Sequence, residues 1–281
     1  MPAASEARNE VMLMNRISYN KPVLVADGIF WIGVHDAEAK LHCNSYILIE
    51  NEKALIIDGG SRPDFAATMM KILQTGIRPK NIVGLIYQHY DPDLCGSLSN
   101  FIDLCDNPDL HIYSKASNNL FLRYYFEKSH HEKLVDINGL NYELSFGSRK
   151  LKFIKTPYTH SAGSFITLDE RTGTLFTSDL FGSFATTWEL FLELTEQCFN
   201  CNTYHKCPNQ KSYCPLPDIL DFHRQVMPCT KALSHAMGLI EKLSIKTLAP
   251  QHGSIINKER DIAWVISRLK NLEGVGIDAI V

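Results

Sequence analysis

Six histidine and aspartate residues follow apolar stretches of the chain, in a pattern that could bind metal ions. In YQHYDPDLCG, at 87–96, His89, Asp91 and Asp93 stand at every other position. Pro92 disfavours helix at Asp91, so this segment is predicted to be extended, and the three side chains then tend to point the same way. The other three residues are His160 in TPYTHSAGS, Asp179 in LFTSDLFG and His252 in LAPQHGS. Imidazole and carboxylate ligands suit iron, manganese or zinc, and ligand type alone leaves that choice open.

The elements that must position these residues are strands followed by helices. Apolar runs predict strands at 23–34, 44–49, 53–58, 82–87, 111–113, 150–156, 164–168, 173–178 and 246–250. Helical spacing of apolar residues predicts helices at 63–74, after 113, at 230–243 and at 257–272. Each of the six residues then lies near a strand end, where loops on a rigid scaffold commonly carry functional groups. A lone histidine or aspartate at such a place is usually a capping or surface residue, so the prediction depends on the joint pattern.

Short polar turns join two pairs of the predicted strands. Asn51 and Glu52 connect the strands at 44–49 and 53–58, and a turn at 171–173 connects the later pair. We predict an α+β fold of one domain with two similar halves, each mixing antiparallel strands with helices. Sheets of that kind are usually covered by helical layers.

Composition excludes several classes of partner. The chain has 281 residues, 45% of them apolar, and a formal charge of -3. This charge gives neither the basic footprint of a nucleic-acid-binding protein nor a polybasic membrane patch. The first twenty residues lack the continuous apolar core of a signal peptide, and no later run is long enough to cross a bilayer. We therefore expect a soluble, cytoplasmic protein whose partners are neither nucleic acid nor membrane.

The strings HYDPDLCG, THSAGS, SDLFG and PQHGS, in that order, resemble the metal-ligand series of the diiron domain of flavodiiron proteins, within the metallo-β-lactamase superfamily. WIGVHD at 31–36 and NSYILI at 44–49 resemble its opening strands, and the resemblance covers roughly 22–275. It implies an αββα sandwich at 22–281, preceded by an N-terminal extension at 1–21. It also implies two iron ions: one held by His89, Asp91 and His160, one by Asp93 and His252, with Asp179 bridging them.

Two residues depart from the flavodiiron pattern. Asp91 stands where that family has Glu, and Leu94 stands where it has a histidine ligand. The chain also stops where a flavodiiron protein would continue into a flavodoxin domain with FMN, so we expect no FMN domain and no built-in electron donor. These features are similar to the stand-alone oxygen-binding diiron proteins, a smaller group linked to oxygen sensing in bacterial chemotaxis.

Three functions follow from the resemblance, in order of preference. The first is a non-catalytic diiron protein that binds O2 as a sensor or carrier. The second is an O2 or NO reductase supplied with electrons by a separate rubredoxin or flavodoxin. The third is a dinuclear zinc hydrolase, which the acidic residue at 91 argues against, because zinc hydrolases of this fold have histidine there. A signalling or electron-donor protein is the expected protein partner, and we expect a homo-oligomer.

Eight cysteines without a secretion signal are predicted to be thiols or metal ligands rather than disulfides. The stretch QCFNCNTYHKCPNQKSYC lies in a Cys-rich insert at about 184–229, and it is either a second metal or redox site or a polar loop with reduced thiols. Its candidate residues are Cys198, Cys201, His205, Cys207 and Cys214. The dispersed cysteines, Cys43, Cys95, Cys105 and Cys229, are interpreted as small buried hydrophobes.

Overall fold

The computed structural model describes residues 17–35, 38, 41–185, 187–201 and 214–280. The strands are β1 (Val23–Ala26), β2 (Ile29–Trp31), β3 (Tyr46–Glu50), β4 (Lys53–Ile57), β5 (Ile82–Ile86), β6 (His111–Ser114), β7 (Leu134–Asp136), β8 (Glu143–Phe146), β9 (Arg149–Lys155), β10 (Phe165–Asp169), β11 (Thr174–Phe176) and β12 (Thr247–Ala249). The helices are α1 (Phe65–Gln74), α2 (Pro92–Cys95), α3 (Leu98–Cys105), α4 (Ala116–Leu122), α5 (Glu196–Phe199), α6 (Leu216–Val226), α7 (Thr230–Ile240) and α8 (Glu259–Lys270).

The strands form two sheets that follow the two halves of the chain. The first sheet has the order β1-β2-β3-β4-β5-β6-β7, and the second has the order β12-β11-β10-β9-β8. In the first sheet β1 to β4 pair antiparallel, and β4 to β7 pair parallel through helical connections. In the second sheet only the β11 and β12 pair is parallel. Each half therefore combines antiparallel strands with helices, as predicted, and each also contains parallel pairing.

Three apolar clusters divide the molecule into four layers. Strand β4 shows why: Leu55 and Ile57 point into a cluster shared with the second sheet, whereas Ala54 and Ile56 point into a cluster with α1 to α4. The outer face of the second sheet packs in the same way against α6, α7 and α8. Successive residues of a strand face opposite sides, so a strand buried on both faces is apolar throughout. The predicted αββα sandwich is confirmed.

The single strand predicted at 23–34 is wrong, because the segment is a hairpin. Val23 pairs with Trp31 and Ala26 pairs with Ile29, so the chain reverses at Asp27 and Gly28. Gly28 has φ +67, a conformation that side chains rarely adopt. The Asp-Gly pair is a strong hairpin signal, and the apolar residues on both sides concealed it.

Six further helices and strands of the described residues went unpredicted, namely α2, α3, α5, α6, β7 and β8. Helix α3 follows the ligand loop directly, α6 lies inside the predicted Cys-rich insert, and β7 and β8 are strands of three and four residues. Short strands that carry few apolar residues give a weak periodic signal, which explains β7 and β8. In the part of the chain that the structure describes, no helix has both the length and the apolar character needed to cross a membrane.

Candidate metal centre

The six residues singled out in the sequence meet at one edge of the paired sheets. His89 follows β5 of the first sheet, and His160, Asp179 and His252 follow β9, β11 and β12 of the second. The loop after β5 also carries Asp91 and Asp93, the latter inside the single turn α2. Both sheets therefore contribute side chains to the same place through loops at the ends of their strands.

One group of donor atoms consists of His89, Asp91 and His160. Their ligand atoms all lie within 4.8 Å of one another. The Nε2 atom of His160 is 3.1 Å from the Oδ2 atom of Asp91, and the Nε2 atom of His89 is 3.7 Å from the same oxygen. Two imidazole nitrogens and a carboxylate oxygen at such separations could share one metal ion.

A second group consists of Cys43, Asp93 and His252, and its ligand atoms also lie within 4.8 Å of one another. The Nε2 atom of His252 is 3.2 Å from the Oδ2 atom of Asp93. Cys43 precedes β3 and is partly buried. The sequence prediction placed Asp93 and His252 together but missed the cysteine.

Asp179 lies between the two groups. Its Oδ2 atom is 3.1 Å from His160 Nε2, and its Oδ1 atom is 3.7 Å from the Nε2 atoms of both His89 and His252. The side chain is only 4% exposed. One buried carboxylate therefore faces an imidazole of the second group and two of the first, which is the arrangement that a bridging ligand requires.

Two buried atoms at the centre need a partner that the described residues do not provide. His89 Nε2 and Asp179 Oδ1 are buried, and within the described part of the chain neither has a hydrogen-bond partner. Buried polar atoms are paired in the great majority of proteins, and a metal ion held between these two would satisfy both of them at once. The donor set of three imidazoles and three carboxylates fits metal ions such as iron or manganese.

Hydrogen bonds on the far side of two imidazoles fix which nitrogen faces the centre. The Nδ1 atom of His252 is 2.7 Å from the backbone oxygen of His42, so Nδ1 carries the proton and Nε2 is left for a metal. The Nδ1 atom of His89 is 2.8 Å from the hydroxyl of Ser178, next to Asp179. Such outer hydrogen bonds commonly orient histidine ligands of metals.

The charges at the centre stabilise one another. Hydrogen bonds to Asp179 and Asp91 raise the pKa of His160 to about 10. Burial disfavours the charged form of His252, but Asp93, Cys43 and Asp179 outweigh it and raise its pKa well above the usual value. Burial likewise opposes ionisation of Asp179, yet the facing imidazoles hold its pKa well below the usual range. Without a metal, the protons on His160 and His252 therefore supply positive charge that faces the carboxylates.

The predicted convergence of His89, Asp91 and Asp93 holds only in part. Asp91 is extended, with φ −73 and ψ 153, but Pro92 begins a helical turn, so alternation stops before Asp93. As a result Asp91 joins the first group and Asp93 joins the second. The side chain of Leu94 is fully buried in the apolar cluster between the first sheet and its helices.

The Cys-rich stretch is described only at its two ends. Cys198 lies in α5, Cys201 lies two residues after the end of that helix, and Cys214 lies just before α6. Cys198 and Cys214 are partly buried and pack against the outer cluster of the second sheet. His205 and Cys207 lie outside the described residues, so the metal or redox prediction for this stretch stays a prediction.

Known proteins resemble this chain in both sequence and fold. Uncharacterized protein MJ0732 of Methanocaldococcus jannaschii is 28% identical over a match that covers 88% of this chain and 61% of that protein. A nitric oxide reductase of Moorella thermoacetica is 25% identical, with 85% of this chain and 59% of the reductase covered. The chain thus spans about three fifths of the length of these two curated relatives.

A solved structure of a peroxy diiron species of the chemotaxis sensor ODP superposes with a TM-score of 0.70 at 21% identity. The match covers 92% of this chain and 97% of that one, so the two share the metallo-β-lactamase-like fold over nearly their whole lengths. The family model described as ODP family beta lactamase matches residues 41–253, which include all six predicted site residues. Since that match spans most of the chain, the chain belongs to the ODP family of beta-lactamase-fold proteins.

Proposed function

We propose that this chain holds two iron ions and binds O2 at them, as an oxygen sensor or carrier. The observation that carries the proposal is the pair of donor groups with Asp179 between them. His89, Asp91 and His160 would hold one ion. Asp93 and His252 would hold the other, and Asp179 would bind both.

The charge of the site favours iron over zinc. Three carboxylates offset much of the charge of two ferric ions, and Asp91 puts an anionic oxygen at a position where zinc hydrolases of this fold have a neutral imidazole. Oxygen ligands favour the harder ion. When bound, two ferrous ions supply the electrons and open coordination positions that O2 binding needs.

Among the described residues, the ligand side chains differ in how far they are exposed to solvent. The side chains of Asp91, Asp93 and His160 are 33%, 25% and 26% exposed, whereas those of Asp179 and His252 are 4% and 3% exposed. O2 or NO would therefore arrive over Asp91, Asp93 and His160. Asp179 and His252 lie buried behind them, and the backbone oxygen of His42 orients the His252 imidazole.

A reductase is the second candidate, and the relative named nitric oxide reductase favours it. The ligand groups would serve either function, because both need a reduced diiron site that a diatomic molecule can reach. What separates them is a supply of electrons, which a rubredoxin or flavodoxin would provide. The likeness to a chemotaxis sensor supports the sensor, with a signalling protein as its partner.

Metal analysis followed by anaerobic spectroscopy tests this proposal. We expect two irons per chain after reconstitution with Fe²⁺ and a new visible charge-transfer band on addition of O2. With a chemical reductant alone, O2 should be bound but consumed slowly. Zinc in place of iron, or the absence of an O2-dependent band at full iron occupancy, would contradict it, and fast consumption with a rubredoxin donor would favour the reductase.

Metal binding should also be linked to pH. His160, with a pKa of about 10, is protonated in the metal-free protein at neutral pH and must lose that proton to bind a metal. In the metal-free protein the raised pKa contributes stability that is fully present below pH 6.5, the unfolded value, and is lost as pH rises through 10. The affinity for metal changes with pH in the opposite direction to the stability of the metal-free protein. It should rise about tenfold per pH unit for each proton displaced.

Melting curves with and without Mn²⁺ at pH 6.5, 7.5 and 8.5 measure this linkage. We expect the gap between the melting temperatures of loaded and metal-free protein to widen steadily as pH rises. The His160→Gln variant should show a shallower rise, since one displaced proton is missing. A gap that stays constant from pH 6.5 to 8.5 would show that His160 is not protonated in the metal-free protein.

A further inference from the structure

We propose that Cys43 binds the second metal ion through its sulfur, as a thiolate ligand beside Asp93, His252 and Asp179. This inference rests on the proposed diiron site and adds a ligand that the sequence pattern does not contain. It makes the two ions different: the first would have only nitrogen and oxygen donors, and the second would have a sulfur donor as well.

The geometry that supports it has two independent parts. The sulfur of Cys43 lies within 4.8 Å of the ligand atoms of Asp93 and His252. Asp179 Oδ1 is buried, has no hydrogen-bond partner among the described residues, and lies 3.7 Å from His252 Nε2. The same oxygen is 3.7 Å from His89 Nε2, so this one unpaired carboxylate oxygen faces both donor groups. One of the two imidazole nitrogens that it faces is the nitrogen that the thiol approaches, which indicates an ion among Cys43, Asp93, His252 and Asp179.

The backbone on both sides of Cys43 is fixed against the loop that carries His252. The backbone oxygen of His42 is 2.7 Å from His252 Nδ1. The side-chain nitrogen of Asn44 donates to the backbone oxygens of Pro250 and Gly253, at 3.0 and 2.8 Å. The backbone of Cys43 therefore cannot shift relative to His252 without breaking buried hydrogen bonds, so the Cβ atom that carries the sulfur is held in a set position.

The other side of this segment is equally constrained. The backbone N–H of Val34 donates to the oxygen of Cys43 at 3.2 Å. A side chain at Gly33 would come within 2.4 Å of that oxygen, so a glycine is needed for the two segments to lie this close. The segment at 42–44 is therefore fixed both by the loop that carries His252 and by the segment at 33–34. Preorganised ligands are usually held in this way.

Cys43 would supply the donor that Leu94 does not. Leu94 is fully buried in the apolar cluster and has no ligand atom, so the second ion would otherwise have only Asp93, His252 and Asp179. On binding, the S–H proton leaves to solvent and a metal–sulfur bond forms, as for other cysteine ligands. Thiolate donors suit iron and zinc, so the ligand is compatible with either ion.

Substitution of Co²⁺ for iron tests the ligand without O2 chemistry. Protein loaded with two Co²⁺ ions should show a thiolate-to-cobalt charge-transfer band in the near ultraviolet. The band should vanish in Cys43→Ser and Cys43→Ala and persist in Cys229→Ser, a matched control that is also partly buried. In Cys43→Ala the affinity for the second Co²⁺ should fall at least about tenfold, with the first little changed.

Alkylation gives a second measurement that does not depend on a band assignment. Iodoacetamide at pH 9, followed by peptide mass spectrometry, should modify Cys43 more slowly in the Co²⁺ protein than in the metal-free protein, where burial already raises the pKa of the thiol. Two bound metals with no thiolate band and equal modification in both forms would overturn the ligand while leaving the diiron proposal intact. A wild-type protein that binds fewer than two metals would instead overturn the proposed function.

Discussion

Replacing Asp179 with alanine is expected to empty the metal centre. Its two carboxylate oxygens lie 3.1 to 3.7 Å from the imidazoles of His89, His160 and His252, so one substitution would remove a ligand from both of the proposed ions. Loss of a shared ligand should weaken metal binding by more than the roughly 10- to 100-fold typical of outer-shell substitutions. We expect the iron content after reconstitution and desalting to fall from two to below about one-half per chain, and the O2-dependent band to disappear.

The controls must separate metal loss from unfolding. Asp261→Asn is a matched variant: Asp261 is also a fully buried aspartate, but its Oδ2 atom accepts a hydrogen bond from the backbone of Leu194, and an asparagine oxygen can replace it. We expect that variant to retain two irons. The iron content of Asp179→Asn should lie between those of Asp179→Ala and Asp261→Asn, because asparagine retains a ligand oxygen but lacks the negative charge. An Asp179→Ala protein with native circular dichroism and two irons would contradict the bridge.

The sequence could predict the site because its residues follow strands that the apolar pattern reveals. His160, Asp179 and His252 each come after a strand of the second sheet, and His89 comes after β5. Parallel and antiparallel strands bring their ends to common edges, so residues far apart in sequence meet there. The division of His89, Asp91 and Asp93 between two groups was not predictable from alternation, because a helical turn begins at Pro92.

Cys43 shows what such reasoning misses. It lies 50 residues before Asp93 and more than 200 before His252, and no local spacing connects it with either. Its place depends on how the segment before β3 packs on the loop after β12, where Asn44 bonds to Pro250 and Gly253. Contacts of this kind arise from tertiary packing, and the spacing of residues along the sequence does not reveal them.

The strands that form the core layers could be predicted from the sequence, whereas some of the turns between strands could not. Apolar strands such as β4 of the first sheet and β10 of the second revealed the cores of the two sheets, since residues on both faces of these strands are buried. The β1 and β2 hairpin was missed because a tight Asp27-Gly28 turn sits inside one continuous apolar run. A two-residue turn needs no polar loop, so hydropathy alone cannot locate it.

Replacing Leu94 with histidine should damage the fold rather than complete the metal site. The resemblance to flavodiiron proteins suggests a missing histidine ligand at this position, but the Leu94 side chain is fully buried in the apolar cluster of the first sheet with Tyr87 and Leu98. Burying an imidazole there removes apolar packing and leaves a polar group to be desolvated, at a cost of about 2–4 kcal/mol. The melting temperature of the metal-free protein should then fall by about 3–7 °C.

Leu94→Met provides the matched control, since a swap that conserves volume and apolar character costs less than about 1.5 kcal/mol. Melting curves and Co²⁺ titrations of the three proteins decide between packing and ligation. If Cys43 already completes the second site, Leu94→His should bind the second Co²⁺ no more tightly than wild type. A histidine variant with unchanged melting temperature and tighter binding of the second ion would show that position 94 faces the metal, and the thiolate would then be one donor among several available to that ion.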